Sequence, residues 1–432
     1  MPITSRRSFV AGLAGATTAL PMLSERAVSQ LFQAETIAGE RSAAELANDE
    51  SYWSHIQRAF DMDRTMINLN NGGISPTPTH VLEQMIRDLK FVNELPVEHN
   101  WRILEPRMES TRRELAKEFG CDPEEMAVVR NASEGLETMI LGIDLQRGDE
   151  VVITNQNYGR MITTWQQRER REGIVLKQVS FPVPLTDPKV LLKNLEAAIT
   201  PRTKVIELTH ITNLTGQILP IRDVVRMARP RGIEVFVDGA HAFAHFPFTR
   251  DELECDYYAT SLHKWMHAPI GAGFLYVRKE KIAKLWPLMG SDKTRETNIR
   301  KYEEICTHPQ ANFNAVSTAI TFHRTIGGER KIARLRYLRD RWAKALLAES
   351  PRVKVLTELG PDKAGAICMF GVEGIDPGKL GSWMLANYRI VNTPIVHPEF
   401  NGIRITPSIY TTVDELDTFV DAVKTAIKKG IA

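Results

Sequence analysis

The sequence predicts an α/β protein, with a large domain built on a mostly parallel seven-stranded sheet sandwiched by helices and a smaller C-terminal α+β domain. Three observations carry this. Seven short apolar runs alternate with helix-length amphipathic segments between residues 126 and 278, the pattern of strands joined by crossover helices. Polar clusters follow several of these runs directly, where ligands bind in such sheets, outside the carboxyl ends of the strands. Beyond about residue 310 the pattern changes to long helices and shorter strands.

The runs are MAVVRN (126–131), with a helix from near Ser133, and EVVIT (150–154), with a helix through Trp165. IVLKQVSF (174–181), KVIELTHI (204–211), IEVFVDGA (233–240), YYATSLH (257–263) and GFLYVR (273–278) complete the sheet. Helices are expected over Asn314–Thr325 and Glu329–Ala348, strands at AICMFGV and GIRIT, and a closing helix from Val413. The expected divisions are a leader over 1–29, an N-terminal arm over 30–80 with the Gly-rich turn INLNNGGISP, a large domain over 81–310 and a small one over 311–432.

Composition narrows the function. The chain has 432 residues, 43% hydrophobic and 25% charged, with a net charge of +2. Its basic residues are scattered rather than blocked, so neither nucleic-acid binding nor stable membrane insertion is expected. The N-terminus stands apart: TSRRSFV (4–10) sets twin arginines before VAGLAGATTALPML and a small-residue site near Ala27-Val28-Ser29. That is the form of a bacterial twin-arginine export signal and predicts a periplasmic location. Four separated cysteines, with no CxxC pair, indicate neither zinc nor a disulfide framework.

SLHKWMHAPIGAG (261–273) holds a lysine between bulky groups ahead of a Gly-rich turn. Alone, Lys264 reads as a snorkelling surface lysine; a buried one serves as a general base or a Schiff-base amine. Asp238 ends an apolar run and should project into the crevice, as a metal ligand, a ribose binder or the partner of a pyridinium nitrogen. Asn131-Ala132-Ser133-Glu134-Gly135 opens a helix after a strand and offers an anion seat, or Ser133 is a plain N-cap. Tyr158 suits stacking on a flat ring. Together these groups describe the needs of pyridoxal 5'-phosphate (PLP).

At this point the chain resembles the class V aminotransferase family of fold-type I PLP enzymes, especially its isopenicillin-N-epimerase-like branch. The matching stretches are LNNGGISPTP (69–78), RNASEGLE (130–137), THITNLTGQILPI (209–221), VDGAHA (237–242), 256–278 and 402–423. The resemblance implies that Lys264 carries the cofactor as an internal aldimine and Asp238 pairs with the ring nitrogen. It implies that Tyr158 stacks on the ring and that Asn213 and His241 meet its phenolic-oxygen side. It assigns Ala132, Ser133, Ser261 and His263 to the phosphate and Arg404 to the substrate α-carboxylate; Asn71 and Gly72 are candidates for the substrate side-chain pocket. Thr307 matches a threonine that reaches the phosphate of a neighbouring subunit, which implies a homodimer; Cys306 stands beside it where glycine is expected.

For the reaction, no cysteine follows Cys368, which argues against thiol-based desulfuration. An aminotransferase-like reaction on an amino acid, or an amino-acid- or peptide-derived substrate, is expected. Cα epimerisation and C–S or β-elimination are alternatives, and an inactive PLP-fold binding protein is the reading from a different class. The side-chain pocket that would decide is sought among Asn71-Gly72-Gly73, Arg160, His267 and Arg389.

Overall fold

The computed structural model describes residues 25–431; the twin-arginine motif and its apolar run lie outside the described residues. Seven strands form the main sheet: β2 (Met126–Val129), β3 (Glu150–Thr154), β4 (Val175–Val179), β5 (Thr203–Thr209), β6 (Glu234–Asp238), β7 (Tyr257–Ser261) and β8 (Gly273–Val277). Numbering starts from a short β1 at Ile67–Asn68 in the N-terminal segment. The order is β2-β8-β7-β6-β5-β3-β4. Only β8 runs against its neighbours, pairing antiparallel with both β2 and β7. The reversal comes from the short 262–272 return, closed by Leu262 N–H to Ala272 O and Ala268 N–H to Leu262 O, with Gly271 at a φ of 91°.

Alternation along the strands sorts side chains to the two faces. Val128, Ile206, Leu208, Val235 and Val237 enter one core. Val129, Val205, Phe236 and Ala259 enter the other, with Trp165 and Leu136 from the covering helices. Asp238 therefore shares a face with Phe236. Because it sits in register with Thr209 on β5, these two polar groups end the sheet side by side.

The small domain carries a four-stranded antiparallel sheet, β12-β13-β10-β9, from β9 (Val353–Val355), β10 (Cys368–Val372), β12 (Thr393–Val396) and β13 (Asn401–Ile405). The closing helix Val413–Lys429 starts on a capping box between Thr412 and Glu415. The N-terminal segment is more than an arm. Its helices Glu25–Ala38 and Glu50–Gln57 place Leu31, Ala34, Trp53 and Ile56 in the large core. Its β1 then pairs in parallel with β11 (Ile390–Val391) of the small domain, which draws the 70–73 turn beneath β13.

The spatial division of the domains also differs from the expected one at 310. Helix Gln310–Ile326 packs on helices Thr79–Glu94 and Glu105–Phe119, and its Phe313, Val316 and Ile320 join the large core. Helix Gly328–Glu349 is shared: Ile332 and Leu335 belong to the large core, Leu338, Trp342 and Leu346 to the small one. An apolar stripe marks which side of a helix is buried but not which sheet buries it. The texture change at 310 thus marks longer helices, and the division falls inside the second of them.

Candidate active site

A cavity of about 350 Å³ opens at the carboxyl ends of the parallel strands, lined among others by Ser133, Tyr158, Asn213, Asp238, Lys264 and Arg404. Segments far apart in sequence meet here because each strand of a parallel sheet ends at the same edge.

The helix Ala132–Gly142 begins at the cavity. Its N-cap is Asn131, whose side chain accepts from Glu134 N–H. Ser133 is thereby released from capping and stands on the cavity wall. Ala132 N–H donates to Ser261 Oγ at 2.9 Å, so it is spent on orienting that hydroxyl. His263 also lines the cavity; burial, then the Lys264 charge, hold it neutral with a pKa of about 4. Helix N-terminus, two hydroxyls and a neutral imidazole make a seat for an anion.

Asp238 is buried and accepts from Ala240 N–H at 2.9 Å. Burial raises its pKa, against the lowering effects of that bond and of Lys264. The turn after it needs glycine, because a Cβ on Gly239 would overlap the Tyr258 ring. Lys264 Nζ lies 3.1 Å from His241 Nε2. Burial lowers the lysine to about 8, Arg404 adding to this and Asp238 opposing it. His241 is pushed well below its ordinary value by burial, then by Lys264 and Arg404, so in this pair the amine donates and the imidazole accepts.

Arg404 is held by neutral acceptors: Nη1 donates to Asn213 O at 2.7 Å, Nη2 to Asn70 Oδ1 at 2.8 Å and Thr393 Oγ1 at 3.4 Å. Burial lowers it to about 10. A buried guanidinium without a carboxylate is costly and poised for an incoming one.

The residues present fit PLP. Thr209 Oγ1, Asn213 Oδ1, His241 Nδ1, His263 Nδ1 and Arg404 Nε are buried without partners, all on residues of the cavity wall. Buried polar atoms are normally paired, so five orphans around one hollow describe a polar ligand's contacts. Tyr158, Leu136 and Asp238 also line the hollow.

Several expected residues lie elsewhere. Asn71 is fully buried behind the cavity. Its amide donates to Asn68 O and Thr406 O and its oxygen accepts from Tyr410 OH, so it braces the turn; the asparagine that meets the arginine is Asn70. Gly72 and Gly73 do line the cavity. Thr307 is exposed, beside a second, apolar hollow with Leu89, Val97 and Trp101, and Cys306 before it has the left-handed φ of 67° that favours glycine. Arg160 and Arg389 are exposed. His267 is buried, bonded to Pro76 O at 3.2 Å and edge-on to Phe60, so it packs the loop.

Sequence reasoning also missed the support behind Lys264. His245 stacks on Trp265 at 3.7 Å, accepts from Ala366 N–H and bonds to His241 O, while Lys331 donates to Trp265 O. No motif marks these; only the fold joins them.

Fold and site together define a PLP-dependent enzyme of the fold-type I architecture. The family model described as Aminotransferase class-V matches residues 67–392, and the chain belongs to that family. It is 28% identical over 387 residues to isopenicillin N epimerase of Streptomyces clavuligerus, covering 86% of this chain and 97% of that one. It is 27% identical over 345 residues to a cysteine desulfurase of Enterobacter, covering 74% and 82%. Among solved structures, a C-DES mutant with glycine covalently linked to its PLP cofactor superposes with a TM-score of 0.75 at 22% identity, covering 85% and 98%.

Proposed function

We propose that this protein is a PLP-dependent enzyme that removes and returns the Cα proton of an amino-acid or amino-acid-derived substrate, in the manner of an epimerase. The observation that carries this is the makeup of the cavity wall. Among the described residues that line it, Lys264 is the one lysine, its amine held at about 8, Asp238 is the one acid, and none is a cysteine. Cys255 and Cys368 are buried elsewhere, and burial raises both thiols to about 12. Thiol-based desulfuration therefore lacks its group on this wall, whereas proton transfer at Cα needs an amine and a charge sink, which Lys264 and Asp238 provide. Similarity to isopenicillin N epimerases over almost their whole length supports epimerisation.

When bound, PLP supplies an electron-withdrawing ring that acidifies Cα–H. In this reading Asp238 keeps a proton on the ring nitrogen, Tyr158 packs on the ring face, and Ser133, Ser261 and His263 hold the phosphate. Arg404 would grip the substrate carboxylate, and Lys264 would take the Cα proton from one face, inversion following when a solvent-derived proton returns to the opposite face. Transamination, to which the sequence motifs point, starts with the same transfer and differs in where the proton returns. Incubating holoenzyme with amino acids and peptides in deuterated water separates the two. Deuterium at an inverted Cα with substrate conserved is expected, and is lost in Lys264→Ala. A keto acid with cofactor left in its amine form, or released pyruvate and ammonia, overturns the epimerase reading.

We also infer a homodimer, in which Thr307 serves the partner's site. Leu89, Val97 and Trp101, at 50%, 61% and 45% exposure, surround the hollow beside it, an apolar cluster of the kind that marks an interface. The twin-arginine segment supports a periplasmic setting; that route carries folded protein, so the cofactor could travel bound.

A further inference from the structure

A second carboxyl lies on the Asp238 face of the sheet. Glu207 on β5 is two residues before Thr209, the residue in register with Asp238. It is fully buried, and among the described residues no lysine or arginine pairs with it. Trp165 Nε1 donates to its Oε2, and Asn157 Nδ2 to its Oε1 at 3.3 Å and its main-chain carbonyl at 3.2 Å. Asn157 is held at its other end too, its Oδ1 accepting from Thr154 N–H and Oγ1–H at 3.1 and 2.6 Å.

These two donors flank Tyr158. Asn157 immediately precedes it, and Trp165 lies seven residues after it on the helix Gly159–Glu172 that Tyr158 caps, two turns on and on the same side. One carboxyl thus fixes both the entry and the rotation of the segment that presents the aromatic ring.

Its charge state follows from its surroundings. Burial pushes Glu207 up to about 8, with the charges of Asp238 on β6 and Glu137 on the helix Ala132–Gly142 adding to this and the Trp165 and Asn157 bonds opposing it. Lys264 acts on Asp238, not on Glu207, whose charged neighbours are Asp238 and Glu137. Two neighbouring buried carboxyls do not both ionise readily, so at neutral pH Glu207 holds its proton.

We propose that Glu207 is a positioning residue for the cofactor ring: through Asn157 and Trp165 it seats Tyr158, and as a neutral acid it leaves Asp238 as the anion for the ring nitrogen. This rests on Asp238 serving that nitrogen and not on which reaction follows. The test compares wild-type, Glu207→Gln and Asn157→Ala holoenzymes by cofactor affinity and by the pH dependence of the visible absorbance of the lysine-linked cofactor. Glutamine keeps the size and the neutral charge but offers one acceptor to two donors, so Glu207→Gln is expected to weaken cofactor binding about tenfold. It is also expected to remove a spectral step that the wild type shows near pH 8. Asn157→Ala, which leaves the carboxyl in place, is expected to weaken binding while keeping that step, and carries the clamp test should Glu207→Gln not fold. Wild-type affinity together with a wild-type pH profile in Glu207→Gln overturns the proposal, as does wild-type affinity in Asn157→Ala. A wild-type protein that takes up no cofactor overturns the cofactor reading itself, which is a distinguishable failure.

Discussion

Lys264 and Gly72 are the residues whose surroundings give the sharpest expectations. With its amine held at about 8, Lys264 is mostly ammonium at lower pH, and only the neutral amine attacks an aldehyde. Cofactor loading of the apoenzyme, followed by visible absorbance, should therefore slow about tenfold per unit below pH 8 and level off above it. A rate independent of pH between 6 and 9, on the order of the range probed, would show that the amine is not held as described. At Gly72, an added Cβ would lie 3.1 Å from Thr406 Cγ2 and 3.6 Å from both Arg404 Cζ and His241 Cε1. Gly72→Ala should raise KM about tenfold by crowding the approach to the guanidinium, with cofactor affinity unchanged. An unaltered KM would place the substrate elsewhere.

Legibility at this scale depended on whether a residue's task is written in its own segment. Lys264 and Asp238 sit at strand ends, where pattern predicts a crevice, and both are on the cavity wall. The sequence points to Asn71, whereas Asn70 meets the arginine, because which of two adjacent amides faces it depends on the bridge between Asn70 and Thr406, a long-range pairing. Ser133 was open between cap and ligand for a similar reason: Asn131 takes the cap only once its extended φ is known.

At the scale of elements, the helix Glu105–Phe119 is tied to the sheet by a buried ion pair. Arg112 is fully buried, with Nη1 and Nη2 at 2.5 and 2.9 Å from the two Glu303 oxygens, and Glu303 also accepts from Val128 N–H of β2. Removing Glu303 leaves Arg112 with Glu109, to which it donates at 3.1 and 3.2 Å, and with Met126 O, so the cost is that of the lost bonds rather than of an unpaired charge. Glu303→Gln should cost about 1.5–3 kcal/mol of stability in a denaturant titration, as for lost bonds to a charged group, and a loss under about 1 kcal/mol would mean the pair is hydrated. Most strands and helices were visible as periodicity. The reversed β8 was not, because an apolar strand reads alike in either direction. Its direction follows from a return too short to hold the crossover helix a parallel neighbour requires.

For the whole molecule, the apolar hollow beside Thr307 predicts that sedimentation will find a dimer. Trp101→Glu should shift it to monomer and weaken cofactor retention; a wild-type monomer with full cofactor affinity would end the shared-site reading. Replacing Arg6 and Arg7 together by lysine should leave the protein in the cytoplasm, as cell fractionation would show. Domain texture was legible in the sequence, but the true boundary was not, since it depends on which sheet each turn of one helix faces.

That shared helix, Gly328–Glu349, has a consequence for how the chain can vary. A hybrid joined at residue 310 would pair the inward turns of one parent's helices with another parent's large core, mismatching Phe313, Ile320, Ile332 and Leu335 against surfaces that were never shaped for them. Such a hybrid should be better tolerated when the joint falls past those contacts, within the turns that face the small domain's core.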